Sequence, residues 1–282
     1  MQRFWVIEED STPCVSVEEA ACEQHFVRTV QRNSEGRYVV RLPLKEPVST
    51  IRDNSSIALR RFHMIESRLQ RNNDLRAEYQ EFMSQYAALG HMQRVDHTTH
   101  SSPQYYLSHL AVIREESSTT KVRVVFDAAC KSVTGKSLND VLIVGAVIQD
   151  DLRTIILRTR INAILLIADI KQMYRQILVN EHDTPLQRIL WRYSPDEYIS
   201  TFELRTVTYG TASAPFLATL TLQQFAEDEQ VDFSLGSKIL KRDVYVDDLV
   251  TSGRTAEELL HCRCADEVDS NFANLLRIWI QY

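Results

Sequence analysis

The chain has 282 residues, a formal net charge of −6, 44% hydrophobic residues and 25% charged residues. This composition is typical of a globular protein and excludes a disordered polymer, a collagen-like chain and a coiled coil. No apolar run approaches the ~20 residues of a membrane helix, and residues 1–10 do not resemble a signal peptide, so a soluble intracellular protein is expected.

The first half of the chain predicts helices followed by a β-hairpin. The predicted elements, in chain order, are an irregular start over 1–50 with one strand at 38–42, two helices within 55–90 that break at 72–74, a polar loop over 91–104, and hairpin strands at 110–114 and 122–126. The helices follow from apolar residues at helical spacing, and the hairpin from two β-rich runs that flank a Ser-Ser-Thr-Thr segment.

The second half mixes strands and helices without regular alternation. The predicted elements are a helix at 150–160, a buried strand at 163–170, strands at 188–193 and 198–205, a helix at 215–228, strands at 239–246 and 249–251, and a helix at 255–274. Thr255 and Glu258 form a capping box at the start of the last helix. This order predicts an α+β fold rather than a doubly wound sheet.

Charge is distributed unevenly along the chain. Residues 28–76 hold eleven Lys/Arg and five Asp/Glu, whereas residues 225–270 hold five Lys/Arg and twelve Asp/Glu. Such a division suits a protein that holds a polyanion in one place and metal cations in another, although two solvated faces would give the same pattern. The five cysteines form no CxxC pair and are interpreted as reduced structural thiols.

Aspartates stand at two places where a sheet protein gains no stability from them. Asp169 ends the apolar run 163–170, and Asp247 and Asp248 separate two β-rich segments. A buried charge needs a partner, and adjacent carboxylates repel, so a shared cation would compensate both. A pair of Mg²⁺ ions that runs in-line phosphoryl transfer needs such a carboxylate set. A strand-end aspartate and a surface turn are the alternative interpretation.

Three motifs, in this order, resemble those of reverse transcriptases. They are Ala168-Asp169-Ile170-Lys171-Gln172-Met173-Tyr174, Tyr209-Gly210-Thr211-Ala212-Ser213-Ala214-Pro215, and the YxDD signature Tyr245-Val246-Asp247-Asp248, here YVDD. Further phrases resemble the polyproteins of Bel/Pao-type long-terminal-repeat retrotransposons, among them Gly36-Arg37-Tyr38-Val39-Val40-Arg41-Leu42-Pro43, Val122-Arg123-Val124-Val125-Phe126-Asp127 and Ser137-Leu138-Asn139-Asp140. The resemblance extends from residue 4 to about residue 279.

The resemblance implies the fingers and palm of a right-hand polymerase, with an antiparallel palm sheet backed by helices. It divides the chain into a pre-polymerase segment over 1–50, fingers with N-terminal helices over 51–145, and a palm over 146–282 from which 181–210 return to the fingers. The palm would end before the thumb. The implied activity is RNA-directed DNA polymerisation, in which two Mg²⁺ ions, or Mn²⁺ as a substitute, support nucleotidyl transfer from dNTPs to a primer 3′-hydroxyl.

The resemblance also assigns roles at the carboxylates. Asp169 and Asp247 would bind the two ions, with the carbonyl of Ile170 as a further ligand, and Asp248 would be the outer carboxylate. Tyr245 and Val246 would lie near the primer end. An aromatic ring at Tyr174 would exclude the ribose 2′-hydroxyl and act as a sugar gate.

Other residues are implied in dNTP and template binding. Lys121 and Arg123 occupy alternate positions of the second hairpin strand and would reach one triphosphate, with Arg114 as a weaker candidate. Tyr209 and Gly210 would line the nucleotide pocket. The arginines that would grip template and primer through phosphates are Arg60, Arg61, Arg68 and Arg71. Without the resemblance, the hairpin cations would be interpreted as a solvated face.

The implied partners are an RNA or DNA template with its primer, dNTPs, and the protease, RNase H and integrase of the same polyprotein, in cytoplasmic particles and without a membrane. The sequence departs from the family pattern at its end, where Ile278 stands in place of a lysine expected to protonate pyrophosphate. This departure and the missing thumb support an alternative, an inactive remnant or a repurposed nucleic-acid-binding module. An unrelated α+β protein with a chance YVDD is a third interpretation.

Overall fold

The computed structural model describes residues 16–95, 103–113, 122–260 and 276–279. Its helices are α1 Val17–Thr29, α2 Ser55–Arg71, α3 Asn73–Ala88, α4 Leu138–Val141, α5 Leu152–Thr159, α6 Met173–Gln176, α7 Ala214–Asp228, α8 Ser234–Arg242 and α9 Ala256–Leu260. Its strands are β1 Gln31–Arg32, β2 Tyr38–Val40, β3 Met92–Val95, β4 Ser108–Ile113, β5 Val122–Asp127, β6 Ile164–Ile170, β7 Leu178–Val179, β8 Arg188–Trp191, β9 Ser200–Leu204, β10 Val244–Tyr245, β11 Asp248–Gly253 and β12 Leu276–Trp279.

The strands form several small sheets rather than one large one. Their orders are β1-β2-β7, β10-β11-β6-β12, β3-β9-β8 and the hairpin β4-β5. All pairs are antiparallel except β2 with β7. Mixed helices and small, mostly antiparallel sheets make this an α+β fold, which confirms the class predicted from the sequence.

The four-stranded sheet is built around β6. Residues 164–169 of β6 pair with β11, from Gly253 opposite Ile164 to Asp248 opposite Asp169. On the other edge β6 pairs with β12, where Arg277 is opposite Asp169. The side chains of Leu166, Ala168 and Ile170 are buried, as expected for one face of a strand. The sheet therefore holds Asp169 at a fixed position near the end of its central strand.

Helices α2 and α3 pack on the hairpin and on the β3-β9-β8 sheet. The buried residues of α2 are Ala58, Phe62, Ile65 and Leu69, which share one helical face. Glu66 of α2 receives two hydrogen bonds from the Arg192 guanidinium, at 2.7 and 2.8 Å, next to β8. The side chain of Asn72 accepts a hydrogen bond from the Leu75 amide and caps α3, at the break predicted from the sequence.

Several predicted boundaries are wrong for identifiable reasons. Residues 17–29 were expected to be irregular but form α1, whose Ser16 and Glu19 make a capping box. Residues 239–246 were expected to be a strand, but Ile239 and Leu240 are buried on helix α8 and only Val244–Tyr245 are extended. In the expected loop 91–104, Met92–Val95 pair with β9. Short apolar runs do not distinguish a strand from a buried helix.

The other predicted elements agree with the described structure. The strands over 164–170, 188–191 and 200–204 and the helices α2, α3, α5 and α7 lie where they were expected. The predicted helix at 255–274 begins as α9, with the Glu258 amide bonded to the Thr255 hydroxyl, but residues 261–275 lie outside the described residues. Within the described ranges, the helices are too short or too polar to cross a membrane.

Candidate functional site

The aspartates of the first and third motifs meet at one end of the β6–β11 pair. Asp169 and Asp248 are directly opposite in the antiparallel register. The carbonyl of Asp247 accepts a hydrogen bond from the Ile170 amide at 2.8 Å. The backbone therefore brings Asp169 close to Asp247 and Asp248, which follow it by 78 and 79 residues in sequence.

Asp247 lies in a tight turn between β10 and β11. Because Tyr245 pairs with Asp248, the turn has only two central residues, Val246 and Asp247. Val246 has a φ of 60°, which is costly for a β-branched residue, by about 1–3 kcal/mol. Its amide donates a hydrogen bond to the Gln149 side chain at 3.0 Å, which helps to hold the turn. Strain at this turn is thus retained next to the carboxylates.

The pKa values of two of the carboxylates, Asp169 and Asp248, are raised. Burial raises the pKa of Asp169 above its ordinary value, and the charges of Asp247 and Asp248 add to this effect. Burial and the charge of Asp247 likewise raise the pKa of Asp248. Both shifts disfavour the ionised forms, so a cation bound here would relieve the repulsion.

The donor set fits Mg²⁺ only together with a substrate. Among the residues that the structure describes, no group of three or more His, Cys, Asp or Glu side chains is arranged to hold a metal ion. Mg²⁺ is nevertheless commonly bound by one or two carboxylates plus water and substrate phosphates rather than by an all-protein cage. Asp169 and Asp247 could supply those carboxylates. The backbone of Ile170 lies beside them, within the β6–β12 pair.

Tyr174 lies near both Asp247 and Arg123, the second of which belongs to the hairpin strand β5. It is half-buried on α6, five residues after Asp169. Burial and the charge of Asp247 raise the pKa of its phenol, whereas the nearby Arg123 lowers it. The charges of Asp247, in the turn before β11, and of Arg123, on β5, thus both affect the pKa of the Tyr174 phenol. A binding site formed by these two elements would require such proximity.

Tyr209 connects the hairpin to this region. Its hydroxyl donates a hydrogen bond to the Val124 carbonyl. The Arg123 guanidinium lies over its ring, 5.3 Å from the centroid, and the Arg175 guanidinium lies 5.9 Å from the same centroid. Cation–π contacts of this kind orient both partners. Arg123 is exposed, so its charge is available to a ligand.

Gly210 has to be glycine. Its φ is +108°, and a Cβ atom there would lie 2.1 Å from the Phe126 carbonyl oxygen. The next turn is held by Asn139, whose amide nitrogen donates to the Gly210 carbonyl at 3.1 Å and whose oxygen accepts from the Ala212 amide at 2.8 Å. The segment that begins with Tyr209 is therefore fixed against both β5 and α4.

A cavity of about 220 Å³ borders this segment and the turn. Tyr174 and Val246 form part of its wall, and the rest is mostly apolar, including Phe216. Gly145, with a φ of +81°, lies so close to Phe216 that a Cβ would be 2.2 Å from its ring. An apolar cavity next to Tyr174 and to the turn that holds Asp247 can accept the flat, partly apolar part of a ligand.

The predicted residues are thus only partly assembled by the described structure. It places Asp169, Ile170, Asp247, Asp248, Tyr174, Val246 and Tyr245 around the β6–β11 end, and Arg123, Tyr209 and Gly210 next to it. Lys121 and Arg114 lie outside the described residues. The arginines at 60, 61, 68 and 71 lie on α2, which packs on β4 and β8 rather than on β6.

Three residues contact the site but are not predicted from the sequence to do so. They are Gln149, Asn139 and Arg175. Asn139 and Arg175 stand near residues that the motifs singled out, but neither residue type signals a backbone clamp or a ring contact by itself. Gln149 carries no sequence signal that connects it to a turn 97 residues away.

No protein-family model and no curated protein sequence matches this chain. Among solved structures, the fold is similar to the prototype foamy virus protease–reverse transcriptase CSH mutant, with 14% identity, a TM-score of 0.49, and coverage of 67% of this chain and 21% of that one. A foamy viral protease–reverse transcriptase dRH in complex with double-stranded DNA is 14% identical, with a TM-score of 0.45 and coverage of 67% of this chain and 27% of that one. The foamy viral protease–reverse transcriptase in complex with an RNA/DNA hybrid is 13% identical, with a TM-score of 0.49 and coverage of 67% of this chain and 22% of that one.

This chain therefore spans about a fifth to a quarter of the length of the structures that it resembles. At this identity and TM-score the likeness does not carry a function over to it.

Proposed function

We propose that the chain is the fingers and palm part of a Bel/Pao-type reverse transcriptase and transfers nucleotides from dNTPs to a primer 3′-hydroxyl on a nucleic-acid template. The observation that carries the proposal is the direct opposition of Asp169 and Asp248 across β6 and β11, with Asp247 in the turn between β10 and β11. Carboxylates held together in this way, within motifs that resemble those of polymerases, need cations to offset their repulsion.

Asp169 and Asp247 would hold the Mg²⁺ ions, with Asp248 and the Ile170 carbonyl beside them. When bound, the ions would lower the pKa of the primer hydroxyl and offset negative charge on the triphosphate. Asp248 would contribute negative charge beside the ions. Tyr245 and Val246 would contact the primer end, since both belong to the same turn as Asp247.

The dNTP would lie between β5 and α6. Arg123 is exposed over the Tyr209 ring, so its guanidinium can donate to triphosphate oxygens while the ring keeps it oriented. Tyr174 is half-buried near Arg123 and Asp247, where an aromatic ring would restrict space at the sugar. Gly210 leaves room for close approach of the backbone, and the apolar cavity next to Tyr174 is suited to a nucleobase.

The experiment is primer extension on a labelled primer annealed to an RNA template, with dNTPs and Mg²⁺, together with Mn²⁺ binding followed by electron paramagnetic resonance. Asp247→Asn should abolish extension and weaken Mn²⁺ binding. Asp232→Asn is the control. It removes the same charge at an exposed residue between α7 and α8. Extension or Mn²⁺ affinity equal to that of the control would refute the assignment of the site.

A further inference from the structure

The side chain of Arg175 connects three elements around the candidate site. Arg175 belongs to α6, directly after Tyr174. Its guanidinium carbon lies 4.8 Å from the ring centroid of Tyr86, 5.2 Å from that of Phe82 and 5.9 Å from that of Tyr209. Phe82 and Tyr86 are on α3, whereas Tyr209 follows β9. One cation on α6 therefore contacts both α3 and the segment that borders the nucleotide side of the site.

The aromatic rings are the partners of this guanidinium. Within the described part of the chain, no ion pair involves Arg175. Its side chain is half-buried, and a charge that is partly removed from water needs compensation. The face of an aromatic ring attracts a cation, and a planar guanidinium can stack on that face. The rings thus explain why an arginine is stable at this position.

The backbone of α6 is held in place independently of these rings. The Arg37 guanidinium donates hydrogen bonds to the carbonyls of Arg175 and Gln176, at 2.9 and 3.1 Å. At the other end of α6, Gln172 has a φ of 54°, which a non-glycine residue keeps only where its surroundings impose it. The Arg175 side chain therefore extends from a fixed backbone and can set the orientation of a ring that it contacts.

Tyr209 is the ring at which this contact has a consequence. Its hydroxyl is bonded to the Val124 carbonyl, and the Arg123 guanidinium lies 5.3 Å from its centroid. Because the hydroxyl oxygen lies on the axis about which the ring rotates, its hydrogen bond does not fix the plane of the ring. We propose that Arg175 is a positioning residue: its guanidinium links the Tyr209 ring to α3 and keeps it in the orientation in which Arg123 lies over it.

The effect on a substrate rests on the proposed function. If Arg123 binds triphosphate oxygens, an Arg123 displaced from the Tyr209 ring binds them less well in the ground state and in the transition state alike. A loss that is equal in both states raises KM and leaves kcat nearly unchanged. The orientation of the two side chains does not depend on that function and can be measured without a substrate.

The test compares Arg175→Gln with Arg32→Gln. Arg32 is the matched control, because its guanidinium also lies over a tyrosine ring, 5.5 Å from the centroid of Tyr38, outside the candidate site. The first readout is the Hε–Nε signal of Arg123 in an NMR spectrum of the ¹⁵N-labelled protein, assigned by its loss in Arg123→Gln. A proton above a ring is shifted to lower frequency by the ring current, so this signal reports whether Arg123 lies over Tyr209.

Arg175→Gln should move the Arg123 signal towards the position of solvent-exposed arginines. Arg175→Lys keeps a cation near the ring and should move the signal less, and Arg32→Gln should leave it unchanged. In single-nucleotide primer extension, Arg175→Gln should raise the KM for dNTP about 10-fold, with kcat changed by less than about 2-fold. In a Tyr209→Leu background, which lacks the ring, Arg175→Gln should not raise KM further, because the two residues act as a unit.

Several outcomes would overturn the proposal. One is an Arg123 signal that is the same in Arg175→Gln and in the wild type, and another is an equal shift in Arg32→Gln. A rise in KM that persists in the Tyr209→Leu background would show that Arg175 acts on the substrate directly. Urea unfolding checks the fold of each variant, and Arg175→Lys decides on the same signal if Arg175→Gln is unfolded. If the wild type does not extend a primer, the proposed function fails, whereas the Arg123 signal still tests the positioning by Arg175.

Discussion

Asp169 on β6 and Asp248 on β11 are direct partners in an antiparallel strand pair. Like charges that face each other in this way destabilise a sheet, and the turn residue Asp247 raises the pKa of both neighbours. A sheet selected for stability alone would place an uncharged or oppositely charged residue at one of these positions. The pair is therefore unfavourable for folding, and the proposed Mg²⁺ site would account for it.

Replacing Asp169 by asparagine should stabilise the protein in the absence of metal. Removing one of the mutually repelling charges should raise the free energy of unfolding by a few tenths of a kcal/mol, since these carboxylates are largely exposed to solvent screening. Urea unfolding in EDTA measures this. Added Mn²⁺ should stabilise the wild type by mass action but not the variant. A lower stability of the variant in EDTA would contradict the explanation.

Gly210→Ala should be much more harmful than Gly135→Ala. Both glycines have positive φ, +108° and +78°, but a Cβ at 210 would meet the Phe126 carbonyl oxygen at 2.1 Å, whereas nothing lies within 4 Å at 135. We expect a cost of about 1 kcal/mol at 135 and of about 2–4 kcal/mol at 210. Chemical denaturation of the two variants makes the comparison, and equal costs would show that β5 can move away from Gly210.

Asn139→Ala should impair nucleotide binding in addition to stability. The side chain bonds to the Gly210 carbonyl and the Ala212 amide, so its loss frees the segment that orients Tyr209. We expect about 1 kcal/mol less stability and a KM for dNTP that rises about 10-fold, with a smaller rise for Asn139→Asp, which still accepts from Ala212.

The control for this substitution is Asn162→Ala. Asn162 also donates its amide to a neighbouring strand, at Ser252, but at the opposite end of β6. Its loss should lower stability to a similar extent and leave the KM for dNTP unchanged. If both variants raise KM equally, Asn139 acts through overall stability and not by positioning Gly210.

Stability should fall as the pH is lowered, because buried histidines must become charged. Burial lowers the pKa of His91 to about 4, with Arg175 and Arg37 adding to the effect, and burial also lowers the pKa of His109. The unfolded chain binds protons at an ordinary pKa of about 6.5, so the stability conferred by neutral His91 is complete above pH 6.5 and is lost as the pH falls towards 4.

For His91 the expected loss is about 2 kcal/mol between pH 6.5 and pH 5, at ~1.4 kcal/mol per pH unit. Urea unfolding of the wild type at both pH values measures it. His91→Gln should show a weaker dependence on pH, and His182→Gln, which changes an exposed histidine, should follow the wild type. A wild-type stability that does not change over this range would refute the assignment of a neutral buried His91.

The sequence predicted the positions of the aspartates better than the way they are held. The apolar run that ends in a charge located Asp169 on a strand, and the YVDD motif between two β-rich segments located Asp247 at a turn. Both signals are local in the sequence. The register that sets Asp248 opposite Asp169 depends on contacts across about 80 residues, and the contact of Gln149 with Val246 has no local signal.

Errors in the predicted elements have the same origin. The run Ile239–Leu240 is apolar enough for a strand, but packing of α8 against α7 makes it helical. Conversely, the capping box of Ser16 and Glu19 was present in the sequence and would have predicted α1. Local capping signals could therefore have improved the prediction, whereas tertiary packing could not have been inferred.

Tyr174→Ala should relax discrimination against ribonucleotides. Tyr174 is half-buried near Asp247 and Arg123, so under the proposed function its ring would restrict the space at the sugar of a bound nucleotide. Removing the ring should lower the ratio of kcat/KM for a dNTP to that for the matching ribonucleotide by about 10-fold or more, which corresponds to ~1.4 kcal/mol of lost discrimination. Single-nucleotide primer extension with each substrate measures this ratio.

Tyr198→Ala, at a side chain that is 94% exposed, is the matched control and should retain the ratio of the wild type. An active Tyr174→Ala variant that excludes ribonucleotides as well as the control does would place the sugar gate elsewhere, whereas a lower ratio without loss of metal binding would assign it to this ring.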